Sequence, residues 1–381
     1  MLLIQNGTVW TMAGEKLEPG CVLIENGKIR AVERRLEAPA GTEVLDATGC
    51  WVLPGLVEAH SHIGISEEKK GAQFDDSNET TNPITPWLRA MDAVNPMDAA
   101  FHDAVAAGIT AVQVGPGSAN VVGGQFFVMK TEGSRRIDDL VVKQPSAMKV
   151  AFGENPRNNY GAAGKMPLTR MAVAAMLREE LYKARQYQQD RADGKAAFDF
   201  RLECWLPVLR GEIPLKAHVH RADDILTAMR IAREFGLRLT LDHCTEGHLI
   251  APYLSGAGAP AIVGPTLSSR SKIEIQNQDF KTAGILHRHG VLTAITTDHP
   301  VSLIQTLPLC AGLAVKHGLP FEEGLKAITI NAARICGAED RIGSLEPGKD
   351  ADIAVFSGNP LEASTVCRFT LIEGKVVHHQ A

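Results

Sequence analysis

Between residues 56 and 297 the chain repeats one pattern, a short apolar segment that closes on polar residues and is followed by a longer stretch. The apolar segments are 56–63, 110–114, 125–130, 147–152, 215–220, 237–243, 261–267 and 291–297. Runs of this length and composition read as buried strands. Helical periodicity fills the gaps, most clearly over 170–189 and 223–235, and Ala107-Gly108 and Phe235-Gly236 read as helix ends that feed the next strand. Eight parallel strands, each followed by a helix, close a barrel, so the middle of the chain is predicted to be an α/β (β/α)8 TIM barrel. An open doubly wound sheet is the structural alternative, and it would place a ligand at one switch point rather than around a ring.

The two ends follow a different rule. Leu2-Leu3-Ile4 runs into Asn6-Gly7, and Val22-Leu23-Ile24 runs into Asn26-Gly27; both Asn-Gly pairs are hairpin-turn signals. The C-terminal stretch has the same style, with Asp352-Ile353-Ala354-Val355-Phe356, then Phe369-Thr370-Leu371-Ile372 before Glu373-Gly374. The expectation is a small β-sandwich built from both termini, residues 1–54 with 345–381, around a barrel of residues 55–344.

Composition narrows the function. A formal net charge of −5 offers no basic field to nucleic acid. No apolar run approaches the roughly 20 residues of a membrane span, so no membrane partner is expected. The first residues lack the basic-then-apolar pattern of a secretory signal. Seven cysteines without a CxxC pair make a poor disulfide framework. Cys204, Cys244, Cys310 and Cys336 read as small core thiols in a reducing cytoplasm. The partner expected is a small-molecule substrate, and a homo-oligomer is compatible with this reading.

Catalytic groups of a barrel sit at the C-terminal ends of its strands, and these strands end in ligand chemistry. The first carries His60 and His62, two residues apart and therefore on one side of the strand. The fifth carries His218 and His220 in the same spacing, the sixth ends in Asp242-His243, and the last in Thr297-Asp298-His299. A single strand-end histidine is more often a hydrogen-bonded structural residue. Two HxH pairs, a later histidine and a final aspartate on one rim instead match the nitrogen and oxygen shell of a zinc-type ion.

Val52-Leu53-Pro54-Gly55-Leu56-Val57-Glu58-Ala59-His60-Ser61-His62 resembles the opening motif of the amidohydrolase superfamily. Asn331-Ala332-Ala333, with Gly343-Ser344-Leu345-Glu346-Pro347-Gly348-Lys349-Asp350-Ala351-Asp352-Ile353, resembles its C-terminal counterpart. The likeness covers nearly the whole chain and is nearest to the imidazolonepropionase-related branch. It implies a metal centre in the barrel, with His60 and His62 on one ion, His218 and His243 on a second, and Asp298 as a ligand that also moves protons. The bridge is implied to be either a carboxylated Lys149 or a glutamate, and Glu154, at the expected end of the fourth strand, is favoured here. Two divalent ions, zinc above others, are expected. A single-ion site of His60, His62, His218 and Asp298 is the alternative, with His243 then facing substrate.

His220 is expected to act beside Asp298 by holding the substrate oxyanion, and Arg221, which follows it, is a candidate for binding substrate. Arg157 and Tyr160, after Glu154, are candidates for substrate contact, an arginine there being suited to a carboxylate. The glycine-rich stretch 115–124 lacks the Lys-Ser/Thr ending of a phosphate loop and reads as a tight turn at the barrel mouth, which residues 71–86 are expected to cover. The resulting function is hydrolysis by a metal-activated hydroxide of a C–N bond in a cyclic amide, an N-acyl amino acid or a dipeptide. The rivals are a single-ion deaminase of a ring amine and, from another class, a catalytically silent scaffold protein.

Overall fold

The computed structural model describes residues 1–68 and 75–380. Strands β1 (Leu2–Val9), β2 (Leu17–Glu25), β3 (Lys28–Glu33), β4 (Glu43–Asp46) and β5 (Trp51–Pro54) form the N-terminal part. The barrel strands follow: β6 (Leu56–Ser61), β7 (Ile109–Val114), β8 (Val122–Lys130), β9 (Val141–Ala151), β10 (Leu215–Val219), β11 (Leu239–His243), β12 (Ala261–Val263) and β13 (Thr293–Ile295). The chain ends with β14 (Ile353–Phe356), β15 (Cys367–Ile372) and β16 (Lys375–His379).

Both termini do build one sheet, in the order β16-β15-β14-β5-β1-β2-β3, with β4 beside β1. Side chains alternate across it as strand geometry demands. Leu2, Ile4, Val22 and Ile24 enter one core, whereas Leu3, Cys21 and Leu23 enter another with Leu36. Asn26-Gly27 is the turn between β2 and β3, and both residues have positive φ (52° and 77°) as a type I′ turn requires. Asn6-Gly7 is not a turn. It lies inside β1, where the register with β2 shifts on either side of Gly7, so the pair makes a bulge.

The second sheet runs β6 to β13 in sequence order and is a nearly closed barrel sheet of eight strands. All eight expected strands are present, but not all are parallel. β8 is antiparallel to both β7 and β9. Only residues 115–121 separate β7 from β8, and a parallel crossover needs a dozen residues or more. The strand therefore returns as a hairpin, and the strictly alternating (β/α)8 expectation gives way at this point. Elsewhere the helical reading stands. Helix Arg170–Ala192 starts on Thr169, whose side chain accepts from the Ala172 N–H, and helix Ala222–Phe235 ends on left-handed Gly236.

The seam between β13 and β6 is held by side chains. One oxygen of the fully buried Glu58 carboxylate accepts from the His60 N–H (3.1 Å), and the other accepts from the Thr297 N–H (2.9 Å) and hydroxyl (2.8 Å). Burial pushes the Glu58 carboxyl up to about 7 despite these donors. Thr296 donates its hydroxyl to His60 O (2.7 Å), and the His62 N–H donates to His299 O (2.8 Å).

Reversal of β8 carries Lys130, its last residue, to the rim nearest the terminal sheet. There its ammonium pairs with Asp350 (2.8 Å) and Asp352, while Arg341 and Lys28 also reach Asp350. Burial alone would raise the Asp350 carboxyl, but these cations hold it at about 2. Removing one partner of a buried ion cluster leaves an uncompensated charge, so Lys130→Met is expected to cost about 3–5 kcal/mol. Urea unfolding measures this; a loss below about 1 kcal/mol would mean that the cluster does not fasten the two sheets together.

Candidate metal centre

The rim histidines and Asp298 converge. His60, His243 and Asp298 place one ligand atom each within 4.8 Å of one another, and so do His218, His220 and His243. Asp298 Oδ1 lies 3.3 Å from His60 Nε2 and 3.4 Å from His62 Nε2. Strand periodicity alone explains the HxH pairs, but not two consecutive residues entering one site, as Asp242 and His243 do. Left-handed backbone does this: φ is 68° at His243 and 53° at Asp298. Non-glycine residues in that region are strained, and such strain gathers at functional sites.

Ring orientation is fixed from behind. His62 Nδ1 lies 2.7 Å from Gly115 O and His243 Nδ1 lies 2.7 Å from Gly264 O. A carbonyl only accepts, so both Nδ1 atoms carry the proton and both Nε2 atoms present lone pairs. His220 Nδ1 is fixed in turn on the Thr245 hydroxyl (2.8 Å). Lone pairs from His62 Nε2 and Asp298 Oδ1 thus face each other, and buried His218 Nε2 and Asp298 Oδ1 have no hydrogen-bond partner. A cation resolves both conflicts, so these residues fit a metal. Burial, and then neighbouring cationic groups, push His218 and His220 well below the usual imidazole range, and burial takes His243 down to about 4. Burial alone would raise Asp298, yet His243 and then His60 hold its carboxyl well below the usual range. Neutral imidazoles around an ionised carboxylate are the ligand state of all four groups.

Beneath the rim lies a layer that joins Asp242 and Lys149, both named in the sequence, to Lys216, which the sequence reading did not single out. Asp242 is fully buried, with His60 Nδ1 at 3.1 Å, Lys216 Nζ at 3.0 Å and Lys149 Nζ at 3.5 Å. Lys149 Nζ is also 3.4 Å from His60 Nε2. Both ammonium groups sit 5.3 Å from the Phe126 ring, which comes from reversed β8 and lies against His60. Burial pushes Lys149 down to about 8.

Glu154 is in neither ligand cluster. β9 stops at Ala151, and Gly153 (φ 84°) turns the chain so that Glu154 opens the helix Glu154–Gly161. Its N–H donates to Glu274 Oε2 (2.9 Å), and burial and then Glu274 raise its carboxyl. Of the two candidates for the bridge, the deeper Lys149 is the one whose nitrogen lies beside a clustered histidine, His60.

A cavity of about 510 Å³ has His62, His218, His220 and Asp298 in its wall. Gly117 and Ser118, from the turn after β7, line it as expected. Of the expected cover 71–86, residues 71–74 lie outside those described, while Ser77 and Asn78 line the cavity. Arg157, Tyr160 and Arg221 do not. Arg157 donates to Leu168 O, the buried Tyr160 hydroxyl donates to Glu79 O, and Arg221 pairs with Asp223. The cavity takes its lysine instead from the loop after β12, as Lys272. Cys244, Cys310 and Cys336 are buried free thiols, and Cys204 is partly exposed.

This arrangement has relatives. A model described as "Amidohydrolase family" matches residues 222–378. Among solved structures, an amidohydrolase from Thermotoga maritima MSB8 superposes with a TM-score of 0.96 at 41% identity, over 100% of both chains. The chain belongs to the amidohydrolase superfamily. Membership makes it a hydrolase acting on carbon–nitrogen bonds. An imidazolonepropionase of Rhizorhabdus wittichii is 28% identical over 91% of this chain and 90% of its own length. Amidohydrolase tasK of Hapsidospora irregularis is also 28% identical, over 94% of this chain, but the chain spans only 41% of that protein. Among the described residues no helix is long and apolar enough to cross a membrane.

Proposed function

We propose that this amidohydrolase uses a divalent metal centre, zinc in two copies, to hydrolyse a C–N bond in a cyclic amide, an N-acyl amino acid or a dipeptide. The observation that carries the reading is the convergence of His60, His62, His243 and Asp298, with the His62 Nε2 lone pair opposed to Asp298 Oδ1, beside a cavity of small-molecule size. His60 and His62 would hold one ion, His218 and His243 the other, and Asp298 and a carboxylated Lys149 complete the set. When bound, the metal supplies an acidified water and a polarised substrate carbonyl.

The chain's own groups do the rest. Asp298 takes the proton of the attacking water and passes it to the departing nitrogen. Its carboxylate is aimed by its left-handed backbone and by its N–H, which donates to Thr296 Oγ1 (2.9 Å). Glu58 holds the adjacent Thr297 by two hydrogen bonds, so the general base is anchored to the strand that bears His60 and His62. His220, in the cavity wall with Nδ1 satisfied by Thr245, turns its Nε2 to the substrate oxygen as the tetrahedral centre forms.

Metal analysis paired with a product-release panel tests the reading. Protein purified without chelator is expected to retain metal, to release product from at least one amide in the panel, and to lose that activity on chelation and regain it with zinc. Preferential release of ammonia from ring amines by a one-metal protein would transfer the reading to deamination. Silence across the panel in the metal-loaded protein would overturn hydrolysis.

A further inference from the structure

The cavity has one cation among its described lining residues, and it is built into place. Lys272 Nζ donates to Asn155 Oδ1 (3.1 Å) and to Glu274 Oε1 (2.8 Å). Asn155 is itself fixed, because its amide donates to the Ser118 hydroxyl (2.7 Å). Glu274 accepts at its other oxygen from the Glu154 N–H and is 2% exposed. Three segments, the turn after β7, the start of helix Glu154–Gly161 and the loop after β12, thus converge on one ammonium group. An ammonium has three N–H donors, and these two acceptors use two of them. The Lys272 side chain is 29% exposed whereas that of Glu274 is 2% exposed, so the open member of the pair is the positive one.

Its surroundings favour an anion. Ser77, Asn78, Ser118 and Ser271 bring neutral polar groups to the wall, and Asp298 is the only carboxylate among the described lining residues. The position also sets a length. Glu274 Oε1, which Lys272 holds, lies 3.7 Å from His220 Nε2 and 3.9 Å from His218 Nε2. A group bound to Lys272 is therefore only a few bonds from a carbonyl carbon placed at His220.

Resting on the hydrolase reading above, we propose that Lys272 is a specificity residue that binds a carboxylate α to the scissile amide. Substrates of the N-acyl-α-amino acid or dipeptide type are then selected over their neutral counterparts. Asn155 and Glu274 act as positioning residues for its ammonium.

The test is calorimetric binding of N-acetyl-L-alanine and N-acetyl-L-alanine amide to the metal-loaded protein, in an Asp298→Asn background that stops turnover. With Lys272 present the acid is expected to bind about 10- to 100-fold more tightly than the amide, the range of a charge-assisted hydrogen bond. In Lys272→Met the two affinities converge while the amide's is unchanged, which also shows that the site is intact; Lys272→Arg restores part of the preference. No preference with Lys272 present, including no binding of either compound, overturns the proposal. So does a preference that survives Lys272→Met, because a carboxylate held only by the metal would behave that way. If the preference is found but the metal-loaded wild type cleaves nothing in the product-release panel, the hydrolase reading fails and the binding site stands.

Discussion

Asp298→Asn is expected to lower kcat by about 10²- to 10⁴-fold, the span attributed to a positioned acid–base group, while KM changes little and most of the metal stays bound. The asparagine keeps an oxygen of the same reach beside His60 Nε2 and His62 Nε2, which are 3.3 and 3.4 Å from the native carboxylate. Its frame also survives, since Thr296 and Thr297 are tied to β6 by bonds that do not involve the Asp298 side chain. What the variant lacks is a group that can accept the proton of water and return it to nitrogen. Steady-state kinetics with metal content measured on the same sample separates the two roles. Near-native turnover would remove Asp298 from proton transfer, and loss of the metal along with turnover would make it only a ligand.

The second large effect is a contrast between two variants. Lys149→Met preserves volume in a fully buried position but removes the nitrogen that lies 3.4 Å from His60 Nε2. It is expected to weaken metal retention and kcat/KM by at least about 100-fold, the upper end for losing even an indirect partner of a metal ligand. Glu154→Ala, at a helix start outside both ligand clusters, is expected to stay within about threefold of wild type; its link to Glu274 runs through the main-chain N–H, which alanine keeps. Metal content after dialysis and turnover of the best panel substrate give the comparison. The reverse ranking would return the bridge to Glu154.

These contrasts show how far the residues speak for themselves. His60, His62, His218, His243 and Asp298 were legible because strand periodicity puts alternate side chains on one face and barrel strands end at one rim. The same periodicity held more than was taken from it. Glu58 is one step below His60 on the same face of β6, and Lys216 one step below His218 on β10. Depth along the strand is the signal that marks both as buried partners. Asp242 beside His243 was not legible in this way, because both enter the site only through a left-handed turn at His243. Glu154 lies off the expected strand end for a related reason: where β9 stops is decided by Gly153 and its helix, and an element's end can be read only to within a few residues. Arg157 and Arg221 had the right chemistry for a carboxylate, but loops choose their direction by tertiary contact, and here Leu168 and Asp223 take them. The loop that brings Lys272 carried no periodic signal at all. The reversal of β8 was written only in the shortness of the stretch between it and β7.

That reversal has a consequence for how such a protein diversifies. The β7–β8 hairpin opens on the rim that carries the cavity, to which it lends Gly117 and Ser118, yet none of the clustered histidines nor Asp298 sits on either of its strands. Provided Gly115, whose carbonyl holds His62 Nδ1, is kept, the rest of its loop can lengthen, shorten or change composition without altering the spacing of those side chains. Selectivity and metal affinity are thereby inherited as separate traits, one free to drift while the other is kept.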